Sequence, residues 1–207
     1  MSWRLTLAVI LNDNLQIKRQ MEFEILTTER LLLRKITPAG FKYIFEHYAE
    51  EEIKKQLGLT TEEEFIKERE KNEGGYLTYD RSIVQFKLIL KETNEVIGTC
   101  GYHNWYFNHR KAELGYTLIK DDHKRKGYMS EAVKKILEYG FNSMNLNRIE
   151  ACIGPGNMAS LSLIKKYGFT QEGYLRKHFI RDAEIQDSII FALLKEEYEV
   201  IKTNNNC

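Results

Sequence analysis

The spacing of hydrophobic positions changes repeatedly along the 207 residues, and each change predicts an element. Leu31-Leu32-Leu33-Arg34-Lys35-Ile36 reads as a strand stopped at Thr37-Pro38. Pro38 suits the first turn of a helix, where a missing N–H costs nothing. Phe41, Ile44, Phe45 and Tyr48 then recur at i, i+3, i+4 and i+7, one face of a helix over 38–48. Thr60 or Thr61, with Glu63 or Glu64 three residues on, makes a capping box, so a second helix starts there and ends near Gly74-Gly75. Val84, Phe86, Leu88 and Leu90 alternate as a strand; Glu92-Thr93-Asn94-Glu95 turns the chain into a partner strand over 96–100. A polar-aromatic loop is expected from His103 to Arg110, and a further strand over 112–119.

The segment after Gly127 carries the clearest helical stripe: Met129, Ala132, Val133, Ile136, Leu137 and Gly140. A short strand over 147–153 and a helix over 157–167 closed by Gly168 follow. Residues 169–180 and 185–194 form a long antiparallel pair. This mixed order predicts an α+β fold, one sheet with helices on both faces. No repeat or composition break divides it, so 23–202 is read as one domain. Residues 1–22 are read as an extension, an added strand or hairpin, and 203–207 as a polar tail.

Composition narrows the function. Lys+Arg at 31 against Asp+Glu at 30 lacks the basic excess of a generic nucleic-acid coat, though a local basic patch survives the test. Cys100, Cys152 and Cys207 are too scattered for a disulfide framework or a metal site, which points to a reducing, cytoplasmic compartment. No two of the five histidines stand four apart, so no metal is expected. The apolar run Leu5–Leu11 is too short to span a bilayer, and Asn12-Asp13-Asn14 stands where a secretory signal needs small residues. Neither a membrane nor a direct nucleic-acid partner is expected.

Chemistry concentrates in Leu118-Ile119-Lys120-Asp121-Asp122-His123-Lys124-Arg125-Lys126-Gly127-Tyr128-Met129-Ser130-Glu131. A strand ends, a basic loop follows, and a helix starts at a glycine. Free amides and the positive end of the helix dipole suit phosphate oxygens there, and Lys124, Arg125 and Lys126 add charge. A solvated basic loop is the plain alternative. Neither Gly-x-x-x-x-Gly-Lys-Ser/Thr nor Gly-x-Gly-x-x-Gly is present in that loop, so nucleotidase and dinucleotide folds are poorly supported.

Lys124-Arg125-Lys126-Gly127-Tyr128-Met129 resembles the acyl-CoA loop Gln/Arg-x-x-Gly-x-Gly/Ala of the GCN5-related N-acetyltransferases, with Lys for Gln/Arg and Met for the last small residue. Ala112-Glu113-Leu114-Gly115-Tyr116, Asn147-Arg148-Ile149-Glu150-Ala151, Asn157-Met158-Ala159-Ser160, Tyr167-Gly168-Phe169 and Glu172-Gly173-Tyr174-Leu175-Arg176 resemble its RimJ/RimL-like branch, as does the opening Thr28-Glu29-Arg30-Leu31-Leu32-Leu33-Arg34. The resemblance runs from about Thr27 to Tyr198. It implies the GNAT acyl-CoA N-acyltransferase fold, with a mixed, mostly antiparallel sheet, working as a monomer or homodimer. It also implies direct transfer of acetyl from acetyl-CoA, without a metal, to an amine. In that branch the amine is a protein N-terminal alanine of the ribosomal-protein type. A small amine (polyamine, amino acid or antibiotic) and a non-catalytic acyl-CoA sensor are the alternatives.

Site residues carry over by position. The implied cofactor contacts are Lys124, Arg125, Lys126, Gly127, Tyr128, Met129 and Ser130 in the loop, with Met129 turned away from the cofactor. Backbone amides near Tyr116, Thr117 and Leu118 would face the thioester oxygen, the strand splaying from the 147–153 strand. Glu113 is the candidate base; a half-exposed glutamate paired with Lys or Arg is the plain reading. Many relatives carry Tyr as leaving-group acid four residues before the Gly of Gly-Phe; here Ile164 stands there, which leaves Ser160 as candidate acid and Tyr167 as packing. Asn157 either caps its helix or holds the pantetheine amide. Cys152 reads as a small core residue. Trp105, Tyr106, Phe107, Tyr76 and Tyr79 either line an acceptor cleft or pack locally. The runs Glu50–Glu52 and Glu62–Glu64 are either an acidic acceptor mouth or solvated helix faces.

Overall fold

The structure is a computed structural model that describes residues 23–76, 81–181 and 183–204; the expected N-terminal extension, Tyr79 and Cys207 lie outside them. Alternation of buried and exposed side chains builds eight strands: β1 Ile25–Thr27, β2 Leu31–Ile36, β3 Arg81–Leu90, β4 Glu95–Tyr106, β5 Lys111–Leu118, β6 Arg148–Ile153, β7 Thr170–Arg181 and β8 Glu184–Leu194. They form one sheet in the order β1-β2-β3-β4-β5-β6-β8-β7. Every pairing is antiparallel except β5 with β6.

Helices cover both faces, as expected of the α+β reading. On one face α1 (Pro38–His47), α2 (Glu50–Leu57) and α3 (Glu62–Gly74) bury Phe41, Ile44, Ile53, Leu57 and Phe65 against Ile36. On the other, α4 (Tyr128–Glu138), α5 (Met158–Lys166) and α6 (Lys195–Asn204) pack against Leu31, Leu33, Phe86, Leu88, Leu114 and Ile149. Each such side chain, fully buried, contributes about 1.5–3 kcal/mol. Thr37 caps α1 by accepting from the Gly40 amide, and Thr61 with Glu64 forms the capping box of α3. Among the described residues no helix is long and apolar enough to cross a membrane.

Four expectations are corrected. α2 was not foreseen, because only Ile53 and Leu57 of its eight residues are buried and the Glu50–Glu52 run masks the period. β1 is a three-residue edge strand with no pattern of its own. The chain continues past β8 as α6, whose Tyr198 stacks on Phe141 at 4.7 Å, so Thr203 and Asn204 are helical rather than tail. β4 runs on through His103–Tyr106, which the polar-aromatic composition disguises as a loop; the connection to β5 is only 107–110.

The extended β4 is tied to α4 from below. The Tyr102 phenol donates to the Ile136 carbonyl at 2.7 Å inside the core, where α4 passes into a π-turn over Tyr139–Ser143. A Cβ at Gly140 would meet that phenol at 2.2 Å, so the two positions fit only as they stand. Tyr102→Phe removes the donor and leaves the carbonyl less satisfied, and is expected to cost about 1–2 kcal/mol. Urea unfolding checks it; an unchanged midpoint and slope would mean the bond contributes nothing.

Candidate active site

The parallel pairing of β5 with β6 lasts only from Lys111↔Arg148 through Glu113↔Glu150. Beyond it β5 stays with β4 to Leu118, while β6 stays with β8 to Ile153. Strand amides point alternately to either neighbour, so those of 114–118 that face β6 have lost their ladder partners. A cleft of about 700 Å³ opens there, lined by Glu113–Tyr116 on one side and Ala151–Asn157 with Ser160 on the other. This is the splay that the resemblance implies.

Past β5 the chain makes a short turn, Asp121–His123, and enters α4 through a basic loop. Arg125 and Gly127 are both left-handed, with φ of 60° and 82°, a conformation glycine adopts without strain and other residues resist. Alternation of this kind turns backbone N–H groups into one concave, anion-binding surface. Gly127 supplies no side-chain cap, so the first amides of α4 keep their donors for an incoming group.

The one acid of the first turn is directed elsewhere. Glu131 accepts from Thr28 Oγ1 at 2.6 Å, from the Arg30 amide at 2.7 Å and from Arg30 Nε at 2.7 Å. Burial would raise this carboxyl, and those three donors lower it instead. Arg30 also donates to the Lys126 carbonyl at 2.9 Å and lies 4.6 Å over the Tyr128 ring. The Thr28-Glu29-Arg30 turn therefore braces the loop and neutralises the carboxylate nearest the helix start.

Within the loop Lys124, Arg125 and Lys126 are exposed, and Lys124 Nζ rests 2.5 Å from Asp121, a contact that solvent screens. Met129 packs on the core. The Ser130 hydroxyl sits between Tyr167 Oη at 2.8 Å and Lys166 Nζ at 2.7 Å, so only its amide faces the loop. Tyr167 packs half-buried between α4 and α5. A second cavity, about 560 Å³, opens beside this helix start between Arg30, Gly127, Lys134 and Lys166.

At the other end of the cleft, Glu113 is 19% exposed and lies 3.3 Å from His103 Nε2. The Asn104 amide donates to its other oxygen at 3.0 Å. Burial alone would raise the carboxyl; the His103 ring, the Asn104 amide and the Cys152 thiol outweigh burial and hold it at about 2. The same contact, with burial, pushes the Cys152 thiol up to about 12. Gly115 makes room for the imidazole, since a Cβ there would stand 2.9 Å from His103 Nδ1. The predicted loop had hidden this pair: only with β4 extended does His103 face Glu113 across the strands.

Ser160 reaches the cleft from α5, where Asn157 caps the helix by accepting from the Ser160 amide at 3.1 Å. Burial raises the Tyr116 phenol, and the Ser160 hydroxyl beside it partly offsets that. Ile164 is fully buried. Phe179, Gln186 and Asp187 from the β7–β8 hairpin close the cleft, a wall that no local motif announces. Asp187 accepts from Tyr174 Oη at 2.6 Å and from the Lys177 amide at 2.6 Å.

Other sequence candidates stay outside the cleft. Trp105 packs edge-on against Phe107 at 4.6 Å, and Tyr106 tilts against His109. Tyr76 stacks on Phe41 and donates to Glu68. The acidic runs are solvated helix faces: Lys54 bridges Glu50 at 2.6 Å and Glu62 at 2.7 Å, and Lys67 pairs with Glu63 at 2.6 Å.

Comparison with known proteins agrees with this geometry. Residues 30–170 match the family model described as "Acetyltransferase (GNAT) domain". The chain is 38% identical over 176 residues to "Uncharacterized N-acetyltransferase p20" of Bacillus licheniformis, covering 84% of this chain and 98% of that one. Shorter matches name two different acceptors. "Putative ribosomal N-acetyltransferase YdaF" of Bacillus subtilis is 33% identical over 49% of this chain and 55% of its own. "Spermidine N(1)-acetyltransferase" of Vibrio cholerae is 29% identical over 44% of this chain and 51% of its own. Among solved structures, a GNAT-family acetyltransferase from Bacillus anthracis superposes with a TM-score of 0.59 at 31% identity, over 84% of this chain and all of that one. The chain belongs to the GNAT family and is an N-acetyltransferase.

Proposed function

We propose that this N-acetyltransferase carries acetyl from acetyl-CoA to the α-amine that begins a protein chain, alanine foremost. The observation that carries the proposal is the strand split between β5 and β6 leading into an uncapped, cation-rich helix start. The first amides of α4, with Arg125 and Lys126, suit a diphosphate, and Arg30, Lys134 and Lys166 line the space for further phosphate. The β5 amides freed by the split suit the pantetheine arm and the acetyl oxygen, on which negative charge builds during transfer.

Bound there, acetyl-CoA supplies an acetyl group activated as a thioester. The amine must lose a proton, and both Glu113 oxygens are already engaged, one by His103 and one by the Asn104 amide. In this reading His103 receives the proton while the ionised Glu113 orients the ring and offsets the charge that arrives. In the same reading the Ser160 hydroxyl, which lines the cleft with Tyr116, gives the departing thiolate a proton.

The distribution of carboxylates supports this choice of acceptor. Glu113 and Asp187 both line the cleft and both are engaged by protein donors, while the acidic runs face solvent on α2 and α3. A polyamine needs unengaged carboxylates at intervals, whereas a peptide needs one place for its amine and polar walls beyond. The RimJ/RimL-like motifs and the match to YdaF support the same choice; the match to spermidine acetyltransferase supports the small-amine alternative. With acetyl-CoA and a panel of amines, alanyl peptides are expected to be turned over faster than spermidine, measured by thiol release and product mass. Preference for spermidine would reverse the assignment.

Four variants test the parts. Reversing charge at Lys124 and Arg125 together should raise KM for acetyl-CoA about 10-fold or more and leave the acceptor's KM nearly unchanged; equal effects on both would count against the phosphate site. Ser160→Ala should lower kcat ~100-fold with little change in acetyl-CoA affinity, and an unchanged kcat removes it as proton donor.

The other two concern pH. With its carboxyl held well below the usual carboxylate range by the His103 ring, the Asn104 amide and the Cys152 thiol, Glu113 is ionised around neutral pH and sets no acidic limb there in the rate profile. Glu113→Gln should lower kcat ~10-fold or more yet keep that limb, and His103→Gln should lower kcat ~100-fold. Loss of the limb in Glu113→Gln alone would return the base role to the carboxylate.

A further inference from the structure

Strand register sets side chains in rows across the α1–α3 face of the sheet. Ile36, Gln85, Gly101 and Gly115 make one row, each the direct partner of the next across β2 to β5. His103 and Glu113 stand in the row on one side of it, and Lys87, Thr99 and Thr117 in the row on the other. The two glycines leave the β4 and β5 positions of this row without side chains, and a trough of about 240 Å³ lies over them. It shares His103, Gly115 and Tyr116 with the main cleft, so the two spaces meet where the amine would react.

Two residues lining the trough, Gln85 and Tyr116, hold a buried polar atom without a hydrogen-bond partner among the described residues. In Gln85 that atom is Oε1. A buried amide oxygen in that state carries its full desolvation cost, which an N–H from a ligand removes. None of the residues lining the trough is a carboxylate. In the adjoining row Lys87 is 4% exposed and faces Arg34 directly across the strands. A second ammonium entering here would find no carboxylate in the trough wall, whereas a neutral N–H needs none.

We infer that Gln85 is a specificity-determining residue for the acceptor: its Oε1 accepts a backbone N–H from the first residues of an extended peptide lying in the trough. This rests on the amine-acetylating role proposed above. Two residues of strand separate the His103 row from the Gln85 row, about 7 Å. That is also the reach from an α-amine to the second peptide nitrogen of an extended chain.

The test uses alanyl peptides methylated at the first or the second peptide nitrogen, which removes one donor at a time. With wild-type protein, methylation at one of these positions is expected to lower kcat/KM about 10- to 100-fold. In Gln85→Leu the unmethylated peptide should fall by a similar factor, and methylation should then cost nothing further, as for two partners in one bond. Gln85→Glu keeps an oxygen at that point and should restore sensitivity to methylation; Gln85→Met replaces the leucine variant should that one not fold. KM for acetyl-CoA should stay constant throughout. Peptides acetylated equally well with and without methylation, or a Gln85→Leu variant as sensitive as wild type, would overturn the role of Gln85 and leave the peptide reading intact. Failure of every peptide, with spermidine turned over, would overturn that reading and this inference together.

Discussion

The site depends on one departure from regular sheet structure: two parallel strands that pair for three residues and then diverge. Pairing between β5 and β6 ends at Glu113↔Glu150, and both strands continue, each held by its other neighbour. Unpaired strand amides inside a protein are costly unless something meets them. The split survives because β4 and β8 keep the strands in place, and in the proposed reading the amide-bearing arm of a substrate meets the gap. Polar side chains then gather around it from both sides, Glu113 and Tyr116 from β5, Ser160 from α5, and Asp187 from β8.

Electrostatics at the two ends of the cleft are arranged differently. At the α4 end, Arg30 and Thr28 draw Glu131 away from the helix start, so exposed cations and backbone donors face outward together. At the far end a half-buried carboxylate is kept ionised by three donors. The first arrangement attracts an anion; the second holds a ring and accommodates positive charge. An enzyme joining a phosphorylated carrier to an amine requires both, several strand residues apart.

Much of this was legible in the chain before any coordinates. The stripe from Met129 to Gly140 gave α4, and Gly127 marked its start, because a helix needs period and a left-handed entry needs glycine. The box of Thr61 and Glu64 and the cap of Asn157 are local chemistry and formed as expected. His103 was hidden, since a strand segment of His-Asn-Trp-Tyr offers no alternation, and its meeting with Glu113 is a matter of register. The wall from β7 and β8 was equally invisible, for it depends on how strands far apart in the chain lie side by side. Gln85 stood in plain alternation on β3, but only packing reveals that its oxygen lacks a donor. Local signals carry the elements, and tertiary register carries the pairs that react.

Hydrogen exchange read by mass spectrometry, with and without acetyl-CoA, addresses the central claim most directly. Two short segments should slow together on addition of the thioester: 114–118 on the open side of β5, and 127–130 at the start of α4. Slowing confined to other segments, or none at a saturating concentration, would contradict the claim that the diverging strands and the helix start together hold the acetyl donor.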